Sequence, residues 1–281
     1  MRIAHTLKDF RAWRGSLSGH VGFTPSLGCM HDGHRALLRA SVGENDASIV
    51  SIFVNPTQFG RGEDFDKYPR DLEHDAEICR SEGVDMLFAP SVAEMYPPGN
   101  ATRVSVAKFR GVLCDASRPQ LFDGVATIVT KLFSIVRPDR AYFGKKDYQQ
   151  LRIIEQLTLD LNLGTAIRRI ETVREPSGLA GSTRNQYLSA DERRAGARLY
   201  KALQHCRQRY LEGRRDAAGV LDEATGLLAE RSPTPSIEYL AAVDRDTLEP
   251  VSTLTANTLI AVAANVGKAR LIDNIELVET P

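Results

Sequence analysis

The sequence predicts an α/β fold on three observations. Apolar runs of strand length alternate with stretches of helical periodicity through the first 173 residues. Those runs are apolar almost throughout, as expected of parallel strands covered by helices on both faces. After "REPSGLAGSTRNQYL" (174–188) the pattern changes to two helical stretches followed by three strand-like runs. That order suits a smaller α+β domain. The boundary is therefore drawn at 173, giving domains 1–173 and 174–281.

Each element follows from its local pattern. "HVGFTPS" (20–26) and "ASIVSIFV" (47–54) read as buried strands; "VDMLFAP" (84–90), "RAYFG" (140–144) and "AIRRIETV" (166–173) are shorter candidates. Val125, Ile128, Leu132 and Val136 recur at helical spacing, as do Leu151, Ile154, Leu157 and Leu161. Ser189 with Glu192 forms a capping box, and Leu199, Leu203, Cys206 and Tyr210 make the apolar stripe of the helix it opens. A second helical stretch covers about 215–230 and is broken by "SPTPS" (232–236). "SIEYLAAV" (236–243), "TLIAVAANV" (258–266) and "ARLIDNIEL" (269–277) read as a small antiparallel sheet.

Composition excludes several classes. The 281 residues hold 36 Lys and Arg against 36 Asp and Glu. Zero formal charge gives no bulk attraction to nucleic acid or an anionic membrane, so neither is expected as a partner. Cys29, Cys79, Cys114 and Cys206 form no CxxC pair, which fits a reducing compartment. "MRIAHTLKDFRAWRGSLSGH" (1–20) lacks the apolar core of a signal peptide, and no run approaches the ~20 apolar residues of a membrane span. The expectation is a soluble cytoplasmic protein.

Four stretches carry chemistry. In "GFTPSLGCMHDGHRALLRAS" (22–41), His31 and His34 stand three apart at the start of a helix, beside Gly28 and Gly33. A helix N-terminus attracts phosphate, and imidazole N–H groups can stabilise charge on a five-coordinate phosphorus. The same pair could be ordinary histidines at a helix cap. Zinc on Cys29, His31 and His34 would not follow a standard pattern. In "SIFVNPTQFGRGEDFDKYPRD" (51–71), Asn55 and Gln58 place neutral amides at a strand end, suited to the hydroxyls and carboxylate of a small acid. The charged run from Gly60 to Asp66 reads as a mobile lid, or as a plain exposed loop. In "AYFGKKDYQQL" (141–151), Gly144 is followed by Lys145, Lys146 and Asp147, with Gln150 one turn on. A lysine there can neutralise phosphate, or the pair can be simply solvated. In "GLAGSTRNQYLS" (178–189), Ser182, Thr183 and Arg184 could wrap a polyphosphate or cap a turn.

Taken in order, "HDGH", "SIFVNPTQFG" with "DFDKYPR", "GVATIVTKLFSIVRPDRAYFGKKDYQQL", "STRNQYLS" and "ARLIDNIEL" make the chain resemble the pantoate–β-alanine ligase (pantothenate synthetase) family of the HxGH nucleotidyltransferase superfamily. The resemblance runs from about Gly22 to Leu277. It implies a Rossmann-like parallel-sheet domain followed by an α+β lid domain, usually in a homodimer. It implies condensation of pantoate with β-alanine, using ATP and Mg²⁺, through pantoyl adenylate. On matching positions, His31, His34 and Lys146 would contact the ATP phosphates, with Arg184 beside them. Gly28, Gly144, Asp147, Val173, Ser182, Thr183 and Arg184 would bind nucleotide. Gln58 and Gln150 would hold pantoate against Leu27, and Asn55 and Tyr68 would shape the acid site and its lid. Asp75 would be the magnesium candidate.

Six positions depart from the family pattern, Ser26 for threonine, Lys145 for glutamate and Thr183 for serine among them. Leu27 stands where methionine is usual, Leu121 where histidine is usual, and Gly181 in place of methionine before the Ser-Ser-Arg-Asn run, here Ser182-Thr183-Arg184-Asn185. Leu27 roughly conserves volume. Leu121 and Gly181 touch the acid side and the phosphate loop, so the alternative expectation is a paralogous ligase acting on another hydroxy acid or amine.

Overall fold

A computed structural model of the chain describes residues 1–60, 62, 65–229 and 232–278. Contacts divide the chain into two compact units. One comprises Met1–Ala107, Arg118–Lys145 and Gln150–Glu171; the other Lys108–Ser117, Lys146–Gln149 and Thr172–Pro281.

In chain order the elements of the first unit are β1 (Arg2–Ala4), α1 (Leu7–Arg14), β2 (Val21–Ser26), α2 (Asp32–Glu44), β3 (Ala47–Ile52), α3 (Leu72–Ser81), β4 (Met86–Phe88) and α4 (Val92–Met95). The short α5 (Cys114–Ser117) belongs to the second unit. Then follow α6 (Leu121–Val136), β5 (Arg140–Gly144), α7 (Tyr148–Asp160) and β6 (Ala166–Ile170). The first two residues of α7, Tyr148 and Gln149, also fall in the second unit.

The strands make one sheet in the order β1-β4-β3-β2-β5-β6, parallel at every pairing. Val21, Phe23, Ile49 and Val50 are fully buried at its centre, as continuous apolar runs require. From β2 the chain steps outward through β3 to β4, then returns to lay β5 on the other flank of β2. That reversal is a topological switch point, where ligands of such sheets bind beyond the carboxyl ends of the strands. Gly28 to His34 follow β2, and Gly144 ends β5.

The expected strands at 20–26, 47–54, 84–90, 140–144 and 166–173 all appear, most of them trimmed at one or both ends. β1 and α1 do not stand out in the sequence. β1 has three residues, too few for a period, and pairs Arg2 with Met86 through Ala4 with Phe88. Helix α1 is capped by Thr6, whose hydroxyl accepts the Asp9 N–H at 3.1 Å, and buries only Phe10, against Phe88. Leu161 departs from the expected stripe of α7. The helix ends at Asp160, Asn162 turns left-handed at φ +51°, and Leu161 is left exposed.

The second unit holds α8 (Ala190–Leu211), α9 (Ala217–Ala229) and an antiparallel sheet of β7 (Ser236–Asp244), β8 (Thr258–Val266) and β9 (Ala269–Glu276) with β8 central. The expected capping box is present. Ser189 Oγ accepts the Glu192 N–H at 3.3 Å, and Glu192 Oε2 accepts the Ser189 N–H at 2.7 Å. Leu199, Leu203, Cys206 and Tyr210 of α8 meet Val220, Ala224 and Leu228 of α9 and Ile260, Val262 and Ala264 of β8 in one core. Residues 108–117 also pack in this unit. Gln149 accepts the Cys114 N–H and donates to the carbonyls of Phe109 and Val112, while Cys114 Sγ lies 3.2 Å from Tyr239 Oη. Among the described residues no disulfide joins the cysteines, and no helix is long and apolar enough to cross a membrane.

Leu203 is fully buried where α8, α9 and β8 meet. Leu203→Ala should destabilise the protein by ~2–5 kcal/mol, the range for such cavities, as read by urea unfolding.

Candidate active site

The segment after β2 is shaped by a buried carboxylate. Gly28 and Cys29 are both left-handed, at φ +90° and +52°. This turns the N–H groups of Cys29 and Met30 onto Asp75 of α3, at 2.8 Å to Oδ2 and 2.7 Å to Oδ1. A Cβ at position 28 would lie 2.8 Å from Asp75 Oδ2. Asp75 is 1% exposed. Burial pushes its carboxyl above the usual carboxylate range, and the two N–H bonds pull in the opposite direction. This differs from the expected magnesium ligand, because both oxygens are taken by the loop and the group is sealed from solvent. Among the described residues no group of three His, Cys, Asp or Glu is placed so that it could hold a metal ion.

The two histidines cap α2 reciprocally. His31 is the N-cap, with extended backbone. Its Nδ1 accepts the Gly33 N–H at 3.1 Å, and His34 Nδ1 accepts the His31 N–H at 3.2 Å. The ring centroids are 4.2 Å apart. A ring nitrogen that accepts from a backbone N–H is unprotonated, so each neutral imidazole carries its proton on Nε2, away from the cap. The helix end therefore bears two N–H donors of fixed tautomer where its dipole is positive. Gly33 is required by close approach, since a Cβ there would stand 2.7 Å from His31 Cε1.

The turn after β3 is a second polar station. Pro56–Gln58 form one turn of 3-10 helix capped by Asn55, which is fully buried. Asn55 Nδ2 donates to Gln58 Oε1 at 3.2 Å and to the Gly124 carbonyl at 3.0 Å. Asn55 Oδ1 accepts from Tyr96 Oη at 2.9 Å, Thr57 Oγ1 at 2.9 Å and the Thr57 N–H at 3.3 Å. Helix α6 lies directly against this turn, so that a Cβ on Gly124 would fall 2.4 Å from the Thr57 carbonyl oxygen. Gln58 is half-buried, as is Leu27. Buried Tyr68 stacks edge-on with Phe59 at 5.9 Å, and Arg70 donates to the carbonyls of Tyr68 and Phe65. Of the run 60–66 read as a lid, Arg61, Glu63 and Asp64 lie outside the described residues.

Gly144 and half-buried Gln150 belong to the first unit; Lys146 and Asp147 to the second. A Cβ on Gly144 would meet nothing within 4 Å, which leaves room for a bulky group. The adjacent lysines differ: Lys145 Nζ lies 2.5 Å from Glu171, whereas Lys146 Nζ contacts Asp147 Oδ1 at 3.6 Å and its carbonyl accepts from Asn274 Nδ2. In the second unit, Ser182 Oγ accepts the Arg184 N–H, and the Val173 carbonyl accepts the Gly181 N–H at 2.9 Å. Buried Asn185 holds this loop by donating to the Ala180 carbonyl and to Glu175. Below it Arg174 forks onto Asp273 at 2.6 and 2.9 Å, with its guanidinium 3.6 Å from the centre of the Tyr200 ring.

Sequence reasoning missed the groups that hold these turns. Tyr96, Asn185 and the Arg174–Asp273 pair give no local signal. Gly124 does give one, because a glycine inside an apolar helical run costs ~1 kcal/mol against alanine and marks a close approach.

A family model described as pantoate-beta-alanine ligase matches residues 2–276. A pantothenate synthetase of Aquifex aeolicus is 51% identical over 269 residues, covering 95% of each chain. One of Thermotoga petrophila is 46% identical over 277 residues, covering 98% of this chain and 99% of its own. The crystal structure of pantothenate synthetase from Thermus thermophilus superposes with a TM-score of 0.95 at 43% identity, over 99% of this chain and all of that one. A Francisella tularensis pantoate-beta-alanine ligase, solved with β,γ-ATP and β-alanine, gives 0.81 at 34% identity, over 99% of this chain and 98% of its own. Strand order, the motifs at the strand ends and a match over nearly the whole length agree, and the chain belongs to the pantoate-beta-alanine ligase family.

Proposed function

We propose that the chain joins pantoate to β-alanine at the expense of ATP. A pantoate carboxylate oxygen attacks the α-phosphorus, and pyrophosphate leaves with the electron pair of the broken P–O bond. The amine of β-alanine then attacks the acyl carbon of pantoyl adenylate, loses a proton, and AMP departs. A carboxylate oxygen is a poor leaving group and AMP a good one, so no protein nucleophile is needed. Catalysis rests on alignment and on charge stabilisation at phosphorus.

The observation that carries the reading is the reciprocal histidine cap at the sheet's switch point, with both Nδ1 atoms committed to backbone N–H groups and both ring protons therefore on Nε2. In this reading His31, His34, Lys146 and Arg184 contact the phosphates through the transition state. Gly28, Gly144, Asp147, Val173, Ser182 and Thr183 bind the nucleotide. Leu27, Asn55, Gln58, Tyr68 and Gln150 form the pantoate site. Magnesium would be carried on the triphosphate, whose oxygens would supply most of its ligands; the sealed carboxylate of Asp75 does not fit it. The relative solved with an ATP analogue and β-alanine supports the choice of nucleotide and amine. The reading places the enzyme in the cytoplasm, as a homodimer.

Purified protein with ATP, Mg²⁺, pantoate and β-alanine should yield AMP and pantothenate in equal amounts; no product from this mixture rejects the reading. ATP–pyrophosphate exchange across a panel of hydroxy acids separates it from a paralogous ligase, which would prefer another acid. His34→Ala and Lys146→Ala should each slow adenylation by ~10²–10³-fold, the loss expected for one charge-stabilising donor. Rapid-quench measurement of adenylate formation checks this, and near-normal rates contradict the roles.

Asp75→Asn replaces two acceptor oxygens by one and leaves a loop N–H without a partner. It should destabilise the protein by ~1–3 kcal/mol and slow adenylation, as measured by thermal unfolding and pyrophosphate exchange. Unchanged values would mean that the loop does not depend on the carboxylate.

A further inference from the structure

We infer that Tyr96 stiffens the acid-binding amide pair: its hydroxyl adds a third donor to the Asn55 oxygen, whose orientation Thr57 and Gly124 fix, and so steadies Gln58 with its N–H groups presented to an acceptor oxygen of the substrate. The inference rests on the proposed pantoate site and adds a positioning residue to it.

The chain of bonds has only one direction. A backbone N–H can only donate, so the Thr57 N–H at 3.3 Å fixes which end of the Asn55 amide is oxygen. A backbone carbonyl can only accept, so Gly124 O at 3.0 Å independently fixes the nitrogen end. The Tyr96 hydroxyl reaches the same Asn55 oxygen at 2.9 Å, shorter than the backbone contact. Asn55 Nδ2 then spends its remaining proton on Gln58 Oε1 at 3.2 Å. With that oxygen engaged, the other arm of the Gln58 amide is its NH₂, a donor without acceptor capacity.

Tyr96 suits the task. It follows α4, its ring centroid is 6.1 Å from that of Phe53, and Lys131 Nζ lies 5.1 Å from its ring centre. Burial pushes its phenol above the ordinary range, which keeps the hydroxyl a donor. Nothing covalent attaches Tyr96 to the turn, which lies about forty residues earlier in the chain, so the hydroxyl is a specific tie between α4 and the substrate amide.

Tyr96→Phe removes the hydroxyl and leaves the ring. Steady-state kinetics should show the pantoate KM raised about fivefold, the weight of one hydrogen bond, with the ATP KM unmoved and the Tm lowered by no more than a few degrees. Asn55→Asp goes further, because a carboxylate has no donor for Gln58 Oε1. Gln58 must then turn its N–H inward and present oxygen. Competitive binding of pantoate against its primary amide, pantoamide, should lose roughly 10–100-fold of its preference for the acid. If wild-type protein forms no pantothenate, the proposed function itself fails and the inference falls with it. If it does, and Tyr96→Phe leaves the pantoate KM within twofold, only the inference fails. A rise in both KM values together with a larger drop in Tm would make Tyr96 a packing residue and overturn it equally.

Discussion

Two backbone N–H groups ending on one buried carboxylate set the geometry from which the rest of the site follows. The Asp75 oxygens hold Cys29 and Met30 in a conformation that only successive left-handed residues reach. That bend delivers His31 to the N-cap of α2, and the cap fixes both imidazole tautomers. That carboxylate also takes up two backbone N–H groups of the loop. The donors left at the start of α2 are then side chains, which is where the sequence places its histidines.

The second unit solves a similar problem with different chemistry. The loop carrying Ser182 to Arg184 is pinned from inside by Asn185, and the Arg174–Asp273 fork fixes its base. Aspartate at 4% exposure would be costly alone. A bidentate guanidinium stacked over Tyr200 compensates it. In both units a buried acidic group is committed to shaping the fold around it.

Much of this architecture is legible in sequence because it is local. Continuous apolar runs gave the central strands, and the pairing of Ser189 with Glu192 gave the start of α8. The junction of β2 with α2 could be read from glycines and histidines alone. What was not legible depends on distant partners. β1 is three residues long and exists through its ladder to β4. Asp75 looks like any acidic residue in the first turn of a helix until the loop 45 residues earlier is found bonded to it. Tyr96 has the same character, since its meaning lies in the Asn55 amide. Sequence patterns report periodicity and caps; they do not report which buried acceptor a remote N–H will find.

The contact between Gly124 and the Thr57 carbonyl bears on how this enzyme could be engineered. Scored by helix propensity alone, position 124, the fourth residue of α6, is an inviting place for alanine, with a gain of up to about 1 kcal/mol. The added methyl would have to occupy the space of the turn's own backbone. It would push apart the wall and the amides mounted on it, so a thermostabilisation campaign guided by local preference would distort the Asn55 turn at the very residue it ranked as safe.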